Sequence, residues 1–171
     1  MSGPLIFMDE TRVQVLNEPG KTAQSQSYMW VRRGGPPGKP VIQFDYDPGR
    51  TTAAAAQLLK GFEGTLMTDG YKPYRTVAKD NKLTHLCCWA HARRKFIDAQ
   101  KAQPKRKTGK ADMAINFIGK LYGVERQKHS ESEHDHADRY RARQQVSVPV
   151  LKKSYQWLLA SQQLVPPKTT L

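Results

Sequence analysis

"TTAAAAQLLKGFEGTLMTDG", residues 51–70, is the stretch that decides the fold. Its first part has a threonine cap, an alanine run and a closing glycine, which together predict a helix. The next six residues, "TLMTDG", form a short apolar run that ends in a turn dipeptide, which predicts a strand. A helix that leads directly into a strand favours an α/β chain.

The sequence upstream of this stretch predicts three strands. "PLIFMDE", "SYMWVRR" and "PVIQFDYD" are apolar runs separated by a polar loop and by the turn "GGPPGKP", so they predict an antiparallel meander. Downstream, "YKPYRTVAKDN" predicts a helix with its proline in the first turn. "LTHLCCWAH" is a further extended run that passes into the basic helix "ARRKFIDAQKA". The predicted order is β-β-β-α-β-α-β-α.

This order is that of the ribonuclease H-like fold, an α/β arrangement with a mixed five-stranded sheet of order 3-2-1-4-5 and flanking helices. A mainly helical C-terminal segment follows, because apolar residues recur at helical spacing in "ADMAINFIGKLYGVERQ" and "VPVLKKSYQWLL". We expect residues 1–100 to form the core and residues 101–127 a basic loop and amphipathic helix that begin a helical insertion. Residues 128–171 are expected to form a polar linker and a terminal helix, partly disordered.

Positive charge dominates the composition. The 171 residues include 28 Lys and Arg against 15 Asp and Glu, a formal net charge of +13. More than half of this surplus lies between Arg93 and Lys110, a segment that contains eight basic residues and one aspartate. Such a surplus favours a polyanionic partner over a small neutral metabolite, although a charge run can also be a solvated loop.

Several classes of protein are disfavoured by the sequence. No apolar run approaches the roughly 18 residues that span a bilayer, and the opening "MSGPLIFMDE" lacks the regions of a signal peptide. The only cysteines, Cys87 and Cys88, are neighbours that would point to opposite faces of a strand and seldom pair. We therefore expect a reduced, cytoplasmic protein with no membrane association.

Two aspartates follow predicted strands that the expected fold places side by side. Asp9 ends the first strand and Asp69 the fourth. Paired carboxylates repel unless a cation lies between them, and their hard oxygen atoms suit Mg²⁺ or Mn²⁺. The structural alternative for each residue is a turn, where Asp is common.

Five blocks of the sequence carry a family resemblance, and in chain order they are "MDET", "SYMWVRRGGPPGKPVIQFDYDPGR", "LMTDGYKPY", "LCCWAHARRKFIDA" and "LYGVE". In that order and spacing they resemble the catalytic region of the insertion sequence 66 family of bacterial transposases. The resemblance implies a metal-dependent DNA transposase with a ribonuclease H-like core and an acidic triad. Asp9 and Asp69 would be the first two carboxylates and would hold Mg²⁺ or Mn²⁺. Water and then a freed 3′ hydroxyl would attack DNA phosphates, with insertion-sequence ends and target DNA as partners and a homo-oligomer on the DNA.

The third carboxylate is less well defined. Glu125 is the best internal candidate, although it can also be a structural residue of the helical insertion. In the family the last glutamate belongs to an Asp-Asn-Asn-x-x-Glu-Arg stretch that is absent from this sequence. The resemblance therefore implies a truncated transposase fragment, active or inactive.

Basic residues near the fifth strand and in the following loop are the predicted DNA contacts, because Arg and Lys bind phosphates readily. They are His91, Arg93, Arg94, Lys95, Lys105, Arg106 and Lys107. Two other functions remain open: a basic DNA-binding remnant whose catalytic site is vestigial, and a ribonuclease H-like nuclease unrelated to transposition.

Overall fold

The computed structural model describes residues 4–36, 38–102, 109–127 and 133–164. The chain separates into two compact units, residues 1–88 and residues 89–171. The predicted division at residues 100 and 127 stays a prediction. Across the described ranges, no helix combines the length and the apolar character needed to cross a membrane.

A mixed five-stranded sheet forms the first unit. Its strands are β1 (Leu5–Gln14), β2 (Gln26–Gly34), β3 (Val41–Asp47), β4 (Thr65–Thr68) and β5 (Thr84–Cys87). The sheet order is β3-β2-β1-β4-β5. The first three strands pair antiparallel, whereas β4 runs parallel to both β1 and β5. The predicted mixed sheet and its strand order are confirmed.

Helices connect the later strands and make up the second unit. They are α1 (Thr52–Leu58) and α2 (Lys72–Asp80) in the first unit, and α3 (Trp89–Lys101), α4 (Lys110–Gln127), α5 (Glu133–Ala142) and α6 (Val148–Gln162) in the second. A π-helical turn, Arg143–Ser147, joins α5 to α6. The stretch predicted as a polar linker contains the helix α5, which begins at Glu133.

Local sequence signals explain where α1 and α2 begin. The Thr51 hydroxyl accepts a hydrogen bond from the Ala54 N–H at 3.1 Å and so satisfies a donor of the first helical turn. Pro73 lies in the first turn of α2, where its missing N–H costs nothing. Both helices therefore start at the positions that their sequences predict.

The core of the first unit lies on one face of the sheet. Side chains alternate along a strand, and Ile6 and Met8 of β1 are buried while Phe7 between them is 37% exposed. The buried side chains pack with α1 and α2 around Trp30 and Tyr74, whose rings meet edge to face with centroids 6.0 Å apart. We call this side the helix-covered face and the side of Phe7 the open face.

The second unit has its own apolar contacts. Small and branched side chains of α4 are buried along one stripe, at Ala111, Ala114, Ile118, Leu121 and Val124. Phe117 of α4 contacts Trp157 of α6 with ring centroids 5.7 Å apart. The predicted amphipathic character of both helices agrees with these contacts.

Candidate active site

Asp9 and Asp69 occupy matching positions on neighbouring parallel strands. Phe7 of β1 pairs with Met67 of β4, and each aspartate lies two residues further along its strand. Continuing the register places the backbone of Asp9 opposite that of Asp69, the residue that directly follows β4. Alternation along β1 places Asp9 on the side of Phe7, whereas Asp69 lies beyond the paired strand and its Oδ2 is 3.6 Å from Arg50. That the two carboxylates meet in one site stays a prediction.

Backbone and hydroxyl contacts hold the turn that carries Asp69. Its Oδ1 accepts the Tyr71 N–H at 2.9 Å, and its carbonyl accepts the Thr68 hydroxyl at 2.7 Å. The Thr68 carbonyl in turn accepts the Cys88 N–H at 2.8 Å. The Asp69 side chain is 24% exposed, so its carboxylate is fixed in direction yet still reachable from solvent.

His85 supports the same turn. Its Nε2 lies 2.8 Å from the Thr68 hydroxyl oxygen. Because that hydroxyl donates its proton to Asp69, His85 must donate from Nε2–H, which defines its tautomer. Partial burial lowers the pKa of His85, and the charge of Arg75 acts in the same direction, so the imidazole is neutral at pH 7.

Glu10, next to Asp9, projects to the helix-covered face. Its side chain is only 1% exposed. One carboxylate oxygen accepts a hydrogen bond from Arg50 and the other from the Tyr74 hydroxyl. A buried carboxylate requires such partners. None of these three residues was singled out from the sequence, although an acid inside an apolar strand is a signal that a partner must exist.

Arg50 connects Glu10 to the Asp69 turn. Its guanidinium lies over the Tyr71 ring, 3.6 Å from the centroid, and its Nη2 is 3.6 Å from Asp69 Oδ2. The Tyr71 hydroxyl donates to the Arg50 carbonyl at 2.9 Å. One arginine therefore contacts both strands that carry the aspartates.

The pKa of Tyr74 is shifted by burial and by negative charges in this region. Burial raises the pKa of the Tyr74 phenol far above its usual range, and the hydrogen bond to Glu10 raises it further. The charges of Glu10, Asp9 and Asp69 act in the same direction. The hydroxyl therefore stays protonated and serves as a hydrogen-bond donor to Glu10.

Two other acids of the meander have structural partners. Asp45 binds Arg32, with Oδ2 2.8 Å from Nη2. Asp47 accepts the Gly49 N–H at 2.7 Å in the turn after β3. These contacts give both acids a structural role.

Glu125 lies in the second unit, on α4, whereas Asp9 and Asp69 lie in the first. Its two oxygens accept hydrogen bonds from Arg143 at 2.8 and 2.7 Å, a bidentate ion pair that joins α4 to the π-helical turn. Hydrogen bonding to Arg143 holds the pKa of Glu125 below its ordinary value. These contacts give Glu125 a structural role, and its catalytic role stays a prediction.

Four of the residues predicted to contact DNA lie on α3, and they project from different sides of that helix. His91, Arg94 and Lys95 share one side of α3, because residues three and four apart are neighbours on a helix. Arg93 points away from that side and is partly buried. The remaining predicted contacts, Lys105, Arg106 and Lys107, lie outside the described residues. The structure thus provides one short basic face on α3.

The described side chains supply few possible metal ligands in any one place. Among them, no group of three or more His, Cys, Asp or Glu is arranged to hold a metal ion. The Asp9 and Asp69 carboxylates supply two hard oxygen donors. Mg²⁺ commonly uses one or two protein carboxylates and completes its shell with water and substrate phosphates, so this pair fits that ion chemically.

The mixed sheet and its connecting helices define an α/β protein. Residues 1–171 match the family described as "Transposase IS66 family". The chain therefore belongs to the IS66 transposase family.

Similar proteins come from Sinorhizobium fredii (strain NBRC 101917 / NGR234). The uncharacterized protein y4jD is 31% identical over 165 residues, which are 89% of this chain and 30% of that protein. The uncharacterized protein y4qI is 28% identical over 166 residues, 90% of this chain and 30% of that protein. The chain thus spans less than a third of the relatives it matches.

A solved structure of a simian T-cell lymphotropic virus intasome in complex with PP2A regulatory subunit B56 gamma also shows likeness. The alignment covers 74% of this chain and 49% of that chain, at 12% identity and a TM-score of 0.38. No shared fold is inferred at that score.

Proposed function

We propose that this chain carries the two-aspartate part of a metal-dependent catalytic site for DNA strand cleavage and strand transfer, built on a ribonuclease H-like sheet. The observation that supports the proposal is the parallel pairing of β1 and β4 up to Phe7 and Met67, because each aspartate follows two residues later in the chain. Membership of the IS66 transposase family supports the reaction class.

The two aspartates would be the protein ligands of Mg²⁺ or Mn²⁺. A bound divalent cation would polarise a DNA phosphodiester and activate the attacking water or hydroxyl. Asp69 is held in direction by the Tyr71 N–H, and Asp9 by its position within the paired part of β1. The protein would thus contribute one carboxylate from each of two adjacent strands.

DNA is the proposed partner, both as insertion-sequence ends and as target. The net charge of +13 supports binding to a polyanion, and the basic side of α3 offers phosphate contacts. A homo-oligomer on DNA and action in the cytoplasm belong to the same proposal.

Mn²⁺ binding tests the site directly. We expect the chain to bind Mn²⁺, measured by electron paramagnetic resonance of the free ion, and we expect Asp9→Asn and Asp69→Asn each to weaken binding at least tenfold, because each removes one of two charged ligands. Asp80→Asn is the matched control, since Asp80 is an exposed acid at the end of α2. Equal affinity in all four proteins would disprove the metal site.

Two results would favour the other functions. DNA binding with no Mn²⁺ binding that depends on the aspartates would identify a DNA-binding remnant with a vestigial site. Hydrolysis of DNA carrying terminal inverted repeats, without joining of the ends, would identify a nuclease. Joined products that disappear in Asp69→Asn would support the transposase.

A further inference from the structure

Arg50 contacts two acids of this region, Glu10 and Asp69, and it contacts them unequally. Its Nε donates to the buried Glu10 carboxylate. Its Nη2 lies 3.6 Å from Asp69 Oδ2, beyond the usual hydrogen-bond range of about 2.7–3.2 Å. The bond to Glu10 anchors the guanidinium, whereas the contact with Asp69 is purely electrostatic.

We propose that Arg50 is an internal counter-cation of Glu10 and Asp69: it lowers the repulsion between these two carboxylates when no metal is bound and competes with a divalent cation for Asp69. This inference rests on the proposed function, because it assumes that Asp9 and Asp69 form a metal site. Arg50 is thus a positioning residue that also sets the metal affinity.

The charges of the region support this role. Asp9, Glu10 and Asp69 all act on the buried Tyr74 hydroxyl, and Arg50 is the cation that contacts Glu10 and Asp69. Without Arg50, the Glu10 and Asp69 carboxylates would lose the guanidinium that both of them contact.

The guanidinium is held in place without help from Asp69. It stacks on the Tyr71 ring at 3.6 Å, and the Tyr71 hydroxyl donates to the Arg50 carbonyl. Asp69 keeps its own bond to the Tyr71 N–H. A cation can therefore draw the Asp69 carboxylate away from Arg50 while the arginine stays on Glu10 and Tyr71.

The test measures stability and metal affinity on the same variants. Arg50→Gln is expected to unfold at a lower denaturant concentration, because Glu10 loses its counter-ion. It is also expected to bind Mn²⁺ about tenfold more tightly, because a competing positive charge is removed. A merely structural arginine would not raise metal affinity when it is replaced.

Two variants serve as controls. Arg32→Gln removes a partly buried arginine that pairs with Asp45 on the same sheet, so it should lower stability and leave Mn²⁺ affinity unchanged. Arg50→Lys keeps the charge but loses the stacked fork, so its Mn²⁺ affinity should stay near that of the wild type. If Arg50→Gln does not fold, Glu10→Gln provides a new reference in which Glu10 no longer needs a counter-ion. The double variant Glu10→Gln/Arg50→Gln should then bind Mn²⁺ more tightly than Glu10→Gln alone.

Failure of this inference is distinguishable from failure of the proposed function. Mn²⁺ binding that depends on Asp9 and Asp69 but is unchanged or weakened by Arg50→Gln overturns the role of Arg50 alone. Absence of such binding in the wild type overturns the proposed function. A double-mutant cycle between Arg50→Gln and Asp69→Asn, measured as free energies of unfolding, then tests the role of Arg50 without any metal. Asp69→Asn should stabilise the Arg50→Gln protein more than it stabilises the wild type. Additive free energies would overturn the inference.

Discussion

At the scale of single residues, the acids of this chain differ in what they contact. Glu10 is buried and doubly hydrogen-bonded, and Asp69 is partly exposed beside a cation. Glu125 is held by a bidentate arginine on the surface of the second unit. An acidic residue in this chain is thus a ligand candidate only where its oxygens remain accessible.

Glu125 provides the first residue-scale test. Glu125→Gln should lower the free energy of unfolding by only roughly 0.2–1 kcal/mol, because the ion pair with Arg143 is exposed and screened by solvent. The pKa of Glu125 is lowered in the folded protein, so this contribution is present above the unfolded value of about 4.5 and is lost as the pH falls through the folded value.

Denaturant unfolding between pH 3 and pH 7 measures this contribution, with the exposed acid Glu63 changed to Gln as a control. Mn²⁺ affinity should be unchanged in Glu125→Gln. A large loss of Mn²⁺ binding would instead make Glu125 the third carboxylate.

At the scale of elements, α1 depends on its first turn. It is only seven residues long, and Ala54 and Ala55 are its buried residues. Helices this short are unstable in isolation, so capping and packing together must hold α1. Its position matters for the site because the preceding loop carries Arg50.

The Thr51 cap tests that dependence. Thr51→Ala should cost about 1 kcal/mol of unfolding free energy, because the Ala54 N–H loses its acceptor. Thr51→Ser keeps a hydroxyl and should recover most of the loss. Chemical denaturation of the three proteins provides the values, and equal stability of Thr51→Ala and Thr51→Ser would show that the hydroxyl contributes nothing.

At the scale of the whole molecule, positive charge is the dominant property. The surplus of +13 predicts strongly salt-dependent binding to DNA, because each phosphate contact releases counterions. Of the residues predicted to contact DNA, the structure describes four, all on α3, and three of these share one side. We therefore expect the basic residues on that side of α3 to contribute more to DNA affinity than the same number of basic residues at other exposed sites.

A charge-matched pair of variants tests this expectation. Arg94→Gln/Lys95→Gln should reduce the slope of log affinity against log salt by about 1 to 2 on duplex DNA. Lys60→Gln/Lys79→Gln removes the same charge from exposed sites of the first unit and should leave the slope nearly unchanged. Fluorescence anisotropy from 50 to 300 mM salt measures both, and equal slopes would remove α3 from the DNA interface.

The sequence was sufficient to predict the strand order, because strand and helix periods alternate clearly from Leu5 to Lys101. Asp9 and Asp69 could be singled out because each follows an apolar run, and their role as metal ligands stays a prediction. The Glu10–Arg50 and Glu10–Tyr74 bonds could not be predicted, because they join residues 40 and 64 positions apart in sequence. Such contacts depend on how α2 and the loop before α1 pack on the sheet, which no local pattern records.

The neighbouring acids of β1 make its alignment sensitive to insertion and deletion. Asp9 and Glu10 project to opposite faces, and only Glu10 meets Arg50 and Tyr74. A shift of β1 by one residue would exchange the two faces, bury Asp9 beside the guanidinium and leave an acid with a longer side chain at the sheet edge. Relatives that keep this site should therefore vary in length in the loop between β1 and β2, and not between Leu5 and Glu10.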